Sequence, residues 1–189
     1  MKKVFYKWIF FRLMNWKIIG QFDPEIKKSV LMVMPHTSWH DFYIGLLTRG
    51  IIGLEMHFVA KRELFRMPFG WYFRYMGGSP LDRTGGRNKV DSIASIFHDR
   101  DVFRMAIAPE GTRKKVREIK TGFYFIALKA GVPIIPVAFD YGTRAVSIGN
   151  PFYPSGNLKA DLPVLLEHFS GVTGKIRGNE FNAAVYLSS

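Results

Sequence analysis

The chain of 189 residues contains no cysteine. That absence excludes disulfides, thiolate metal sites and a cysteine-linked acyl-enzyme. It fits a cytosolic setting without requiring one. Uncharged apolar runs of the roughly 18–20 residues needed to cross a bilayer are also absent, so no transmembrane segment is expected. Nor does the start read as a signal peptide: Arg12 and Lys17 interrupt the apolar stretch and no small-residue cleavage site follows. Repeats, low-complexity tracts and linkers are missing, which leaves a single domain over residues 1–189. Acidic side chains are scarce, 15 Asp+Glu against 27 Lys+Arg, for a formal net charge of +12. Such an excess favours anionic partners: nucleic acid, acidic membrane surfaces or phosphorylated substrates.

Apolar residues make up 48% of the chain, too many for a disordered segment. The basic residues are spread along the chain, and two groups of them stand out. Lys2, Lys3, Lys7 and Arg12 alternate with Phe5, Tyr6, Trp8, Phe10, Phe11 and Leu13 within residues 1–16. As a helix, that segment suits the plane of an anionic bilayer, and it equally suits packing on the core, each role on its own face. The second group, Arg113, Lys114, Lys115, Arg117 and Lys120, follows Glu110-Gly111-Thr112. No recognisable nucleic-acid module accompanies this charge, so a nucleic-acid partner is not expected.

Hydrophobic patterning predicts strands near 16–20, 29–34, 55–60, 77–82, 102–108, 133–139 and 145–148. Helices are predicted near 39–48, 63–75, 88–99, 122–130 and 161–169. Near-continuous apolar strands separated by helices indicate an α/β fold, a mainly parallel sheet covered by helices on both faces. In such sheets the site lies outside the carboxyl ends of the strands. That rule gathers His36/Asp41, Asp82/Arg83 and Glu110/Arg113 at one edge.

Each motif has a structural alternative. His36 and Asp41 could be a base and the acid that orients it. Yet Ser38-Trp39-His40-Asp41 also matches a capping box, with Asp41 folding back onto Ser38. His36 and His40 stand four apart, as helical metal ligands do, but no third ligand motif is evident and His36 should precede the helix. His40 then becomes a packing or substrate-lining residue. Arg83 could be an ordinary surface ion-pair partner. In Glu110-Gly111-Thr112-Arg113, Gly111 permits a tight turn, Thr112 can donate and Arg113 can grip a phosphate with two hydrogen bonds. Lys61 follows a strand and could face the same edge, or simply be a surface lysine.

Taken in order, four blocks resemble the glycerolipid acyltransferase family typified by 1-acyl-glycerol-3-phosphate acyltransferases. They are His36…Asp41, Gly78-Ser79-Pro80-Leu81-Asp82-Arg83, Pro109-Glu110-Gly111-Thr112-Arg113 and Val132-Pro133-Ile134-Ile135-Pro136. The resemblance implies a glycerol-3-phosphate acyltransferase-like αβα fold. It implies that His36 is the general base and Asp41 orients it, that Arg83 and Arg113 hold the acceptor phosphate, and that Glu110, Gly111 and Thr112 belong to that pocket. The block around Pro133 would form a wall of the site. The implied reaction moves a fatty acyl group from acyl-CoA or acyl-carrier protein to a lysolipid hydroxyl. The acceptor would be 1-acyl-sn-glycerol-3-phosphate, giving phosphatidate in phospholipid biosynthesis, with no metal and no cofactor beyond the acyl donor. A phosphate-free lysolipid such as an acylated amino acid is the alternative acceptor. The implied location is peripheral, on the cytoplasmic face of a membrane.

Overall fold

The computed structural model describes residues 2–61, 65–66, 68, 70–75, 77–81 and 88–183. Helix α1 (Lys2–Lys7) continues as a π-helix over Trp8–Leu13, and strands then alternate with helices. The elements are β1 (Lys17–Ile19), β2 (Lys28–Met34), α2 (His40–Ile52), β3 (His57–Lys61), α3 (Gly70–Tyr75), β4 (Gly78–Leu81), α4 (Asn88–Asp99), β5 (Phe103–Ile107), α5 (Gly122–Ala130), β6 (Ile134–Asp140), β7 (Ala145–Ile148) and α6 (Leu158–Glu167). Of the segment expected to be helical over 63–75, residues 63–64 lie outside the described residues, and the described helix covers Gly70–Tyr75.

The described strands form one sheet in the order β1-β7-β6-β2-β5-β3-β4. Strands β2 to β6 are mutually parallel, whereas β7 pairs with β6 antiparallel and β1 follows β7. The expected α/β architecture is thus realised, with one antiparallel edge. Strand β2 lies between β5 and β6, which explains its almost unbroken apolar sequence. Pro136 sits inside β6, where a missing N–H would ordinarily cost a ladder bond. Its place is the point where β7 has ended: Val137 pairs with Ile148, and the next residue, Gly149, donates its N–H to the Pro136 carbonyl at 2.8 Å.

Alternate residues of the central strands feed two separate cores, as the period-2 geometry of a strand requires. Val30, Met32 and Met34 pack with Phe97 of α4, Phe123 and Ala127 of α5, and Leu165 of α6. Leu31, Ile135, Val137 and Phe139 point the other way, onto Phe10, Trp16 and Ile44. The N-terminal segment therefore supplies part of the second core. Phe10 is fully buried, worth about 1.5–3 kcal/mol for a side chain of its size. Gly50 makes the approach of α1 possible, because a Cβ there would lie 2.4 Å from the Tyr6 ring. Val4, Phe5, Trp8, Phe11 and Leu13 remain exposed on the opposite side.

Candidate active site

Strand β2 delivers the chain into Pro35-His36-Thr37-Ser38, and α2 begins at His40. His36 therefore precedes the helix, and the i, i+4 relation to His40 is not a helical one. The turn brings His36 Nδ1 to 3.2 Å from Asp41 Oδ2. The same oxygen accepts the Ser38 backbone N–H at 2.8 Å, while Ser38 Oγ accepts the His40 N–H at 3.3 Å. Capping and orientation of the imidazole are thus two duties of one carboxylate, made compatible because the histidine enters from the loop just before the first turn.

Asp41 is almost wholly buried, and its second oxygen, Oδ1, accepts the Tyr141 hydroxyl at 2.8 Å. Burial and the neighbouring Asp41 charge push the Tyr141 phenol well up, so it stays protonated and donates. A carboxylate can only accept, so the imidazole proton belongs on Nδ1. That leaves a lone pair on Nε2, which makes no hydrogen bond among the described residues. The His36 side chain is 27% exposed, enough for a substrate hydroxyl to reach it.

Glu110 follows β5, the neighbour of β2, and so arrives at the same sheet edge. Its Oε1 accepts the His36 backbone N–H at 2.9 Å across 74 residues of chain. Burial pushes its carboxyl up to about 7, against the lowering effect of that N–H and of the neighbouring His36 imidazole. Oε2 is buried with no partner among the described residues. Gly111 takes a left-handed φ of 64°, where any side chain would be strained, and the flexible Lys120 side chain lies across it. Thr112 and Arg113 are exposed. Thr112 Oγ1 accepts the Lys114 N–H at 3.3 Å, and the Arg113 carbonyl accepts from Asn179 Nδ2 at 3.2 Å. Arg83 and Asp82 lie outside the described residues, although β4, ending at Leu81, runs parallel to β3 toward the same edge.

The segment from β1 to the end of β6, residues 17–140, matches the family model described as Acyltransferase. The chain belongs to the acyltransferase family. A chloroplastic 1-acyl-sn-glycerol-3-phosphate acyltransferase of Brassica napus is 30% identical over 67% of this chain and 42% of its own length. The enzyme of the same name from Salmonella typhimurium is 33% identical over 67% of this chain and 53% of its own. The one from Streptococcus pneumoniae is 30% identical over 61% and 43%. The chain thus spans about half the length of these relatives. The solved 1-acyl-sn-glycerophosphate (LPA) acyltransferase PlsC from Thermotoga maritima superposes with a TM-score of 0.60 at 24% identity, over 88% of this chain and 74% of that one. That last likeness is one of fold.

Two features of this acyltransferase chain depart from expectation. Pro133 does not wall the His36 site. Its carbonyl accepts the Val30 N–H, and the β2–β6 register runs from Val30↔Ile134 to Met34↔Ala138, which puts Pro133 at the amino edge of the sheet, opposite His36. The part of β6 that reaches the site is its other end, and the residue just beyond it, Tyr141, had no motif to flag it. The carboxyl-end rule applied to β6, as it was to three other strands, points to Asp140-Tyr141.

Proposed function

We propose that this chain transfers a fatty acyl group from an acyl thioester to the free hydroxyl of 1-acyl-sn-glycerol-3-phosphate, giving phosphatidate. One observation carries the reading: a histidine whose Nδ1 is held by a buried aspartate and whose Nε2 is left free, tied through its backbone to the Glu110-Gly111-Thr112-Arg113 loop. His36 Nε2 takes the proton from the acceptor hydroxyl as its oxygen attacks the thioester carbon. The carbon–sulfur bond then breaks, and the departing thiolate takes the proton back from the imidazolium. No covalent acyl-enzyme forms. Asp41 holds the ring and balances the transient charge. Arg113, with Arg83, clamps the acceptor phosphate, as guanidinium groups do by paired hydrogen bonds.

The donor is acyl-CoA or acyl-carrier protein, and the product feeds phospholipid biosynthesis. The enzyme sits peripherally on the cytoplasmic face of an anionic membrane. No helix among the described residues is long and apolar enough to cross one, while the exposed Phe5, Trp8 and Leu13 stand among lysines and arginine on one segment. The test is acyl transfer from labelled donors to a panel of lysolipids by wild type and His36→Ala. A fall of about 10²–10⁴-fold in the folded variant is expected for loss of a general base. A folded, fully active variant would remove His36 from that role. Transfer only to a phosphate-free lysolipid would keep the chemistry and overturn the phosphate clamp.

A further inference from the structure

Beside the catalytic pair, and sharing Tyr141 and His40 with its surroundings, lies a cleft of about 730 Å³. Its size falls among ligand sites of roughly 300–1,000 Å³. We propose that this cleft takes the nucleotide end of a coenzyme A thioester, an adenine ring bearing phosphates. The inference rests on the acyl-transfer reading and adds the identity of the donor.

Three cations line the cleft: Arg144 from the β6–β7 turn, and Lys175 and Arg177 from the segment after α6. None makes an ion pair among the described residues. The nearest carboxylate of the turn, Asp140, is already committed. It accepts the N–H groups of Gly142 and Thr173 and the Thr143 hydroxyl, and these donors hold it below the usual carboxylate range despite its burial. Asp140 keeps its negative charge, but the three cations outnumber it and no carboxylate among the described residues lines the cleft, so the excess positive charge in a concave site attracts an anion and concentrates it there.

The backbone around these cations is fixed rather than loose. The Tyr141 N–H donates to the Thr173 carbonyl at 2.9 Å, and the Ile176 N–H donates to Thr37 Oγ1 at 3.2 Å. The segment bearing Lys175 and Arg177 is therefore pinned both to the turn that bears Arg144 and to the loop that bears His36. Lys175 Nζ stands 5.6 Å from the centre of the Tyr141 ring, the ring whose hydroxyl holds Asp41.

The walls narrow the choice of anion. Trp39 and Tyr43 line the cleft with about half their surface exposed, 54% and 48%. Flat aromatic surface next to cations suits a ligand that carries a ring as well as phosphates, because a purine can stack where a headgroup cannot. A lipid headgroup supplies the phosphate without the ring. An acidic carrier protein needs a broad outer surface rather than a concave one.

The deciding experiment titrates the full chain with adenosine 3′,5′-bisphosphate in a calorimeter, and separately with glycerophosphoglycerol as a headgroup probe. The same is done for the triple variant Arg144→Asn, Lys175→Ala, Arg177→Ala, in which Asn suits the left-handed φ of 52° at position 144. Binding of the bisphosphate by wild type, weakened about tenfold or more in the variant and by added salt, is expected for charge-assisted phosphate contacts. In acyl transfer, the ratio of kcat/KM for palmitoyl-CoA to that for palmitoyl-pantetheine should fall by a similar factor. No bisphosphate binding by wild type overturns the proposal, and needs no variant to fold. So does preferential binding of the headgroup probe, an unchanged donor ratio, or a loss confined to acyl-carrier protein. Bisphosphate binding with no product from any donor would support the cleft assignment while sinking the acyl-transfer reading.

Discussion

Asp41 accepts two hydrogen bonds, from Ser38 on Oδ2 and from Tyr141 on Oδ1, and Oδ2 also lies 3.2 Å from His36 Nδ1. The Tyr141 bond has no structural duty comparable to the cap, which makes it the informative one to remove. A hydrogen bond to a charged acceptor is worth about 1.5–3 kcal/mol, so Tyr141→Phe is expected to lower kcat/KM by about tenfold. The pH profile distinguishes positioning from mere packing. Without its phenol donor the Asp41 carboxylate is less satisfied and attracts a proton on His36 more strongly, so the acidic limb of kcat/KM moves to higher pH. A variant with a lower melting temperature, unaltered kcat/KM and an unshifted limb would reduce Tyr141 to a packing residue.

At the scale of elements, the N-terminal segment is two-sided. Phe10 is buried in the second core and Tyr6 packs on Gly50 of α2, while Phe5, Trp8 and Leu13 face outward. Deleting the segment would therefore confound membrane binding with folding, since Phe10 goes with it. Substituting Phe5, Trp8 and Leu13 together by serine leaves the inward face intact. Binding to vesicles containing phosphatidylglycerol, read by sedimentation, is expected to drop at least tenfold, each apolar side chain contributing about 1.5–3 kcal/mol when buried. The melting temperature should stay within a few degrees of wild type. Undiminished sedimentation would move the membrane face elsewhere on the molecule.

Over the whole molecule, Glu110 couples the sheet to pH. Its carboxyl is raised from 4.5 to about 7 in the folded chain, chiefly by burial. A group that holds its proton more tightly when folded contributes stability that is fully present below the unfolded value and is lost as pH rises through the folded one. The contribution of Glu110 should therefore decline between pH 4.5 and about 7, by on the order of 3 kcal/mol at the most, the ordinary cost of that shift. Glu110→Gln keeps an acceptor for the His36 N–H and has no charge to bury. Urea denaturation of both proteins at pH 4.5 and 7.5 is expected to show the variant gaining on wild type as pH rises. Parallel pH dependences for the two would mean that Glu110 ionises freely in the fold.

Much of this architecture was legible in local patterning. The apolar strands at 29–34 and 133–139 appear within a residue of their observed bounds, because a strand buried on both faces must be apolar throughout. The His36/Asp41 pair was equally plain, since a strand-to-helix turn brings residues five apart into contact whatever the rest of the chain does. Helix α6 begins earlier than the expected position 161, at Leu158, where the Asn157 side chain accepts the Ala160 N–H. That cap was readable but weak. Other features depended on register and strand order, which no local signal encodes. They include the Glu110 carboxylate on the His36 backbone, the Tyr141 hydroxyl on Asp41 a hundred residues away, and the exile of Pro133 to the far edge. Local sequence specifies which backbone conformations and caps are cheap. Which side chains then meet across the sheet is decided only when two cores are buried at once, and that choice is what set a common histidine–aspartate spacing beside a buried carboxylate held by Tyr141.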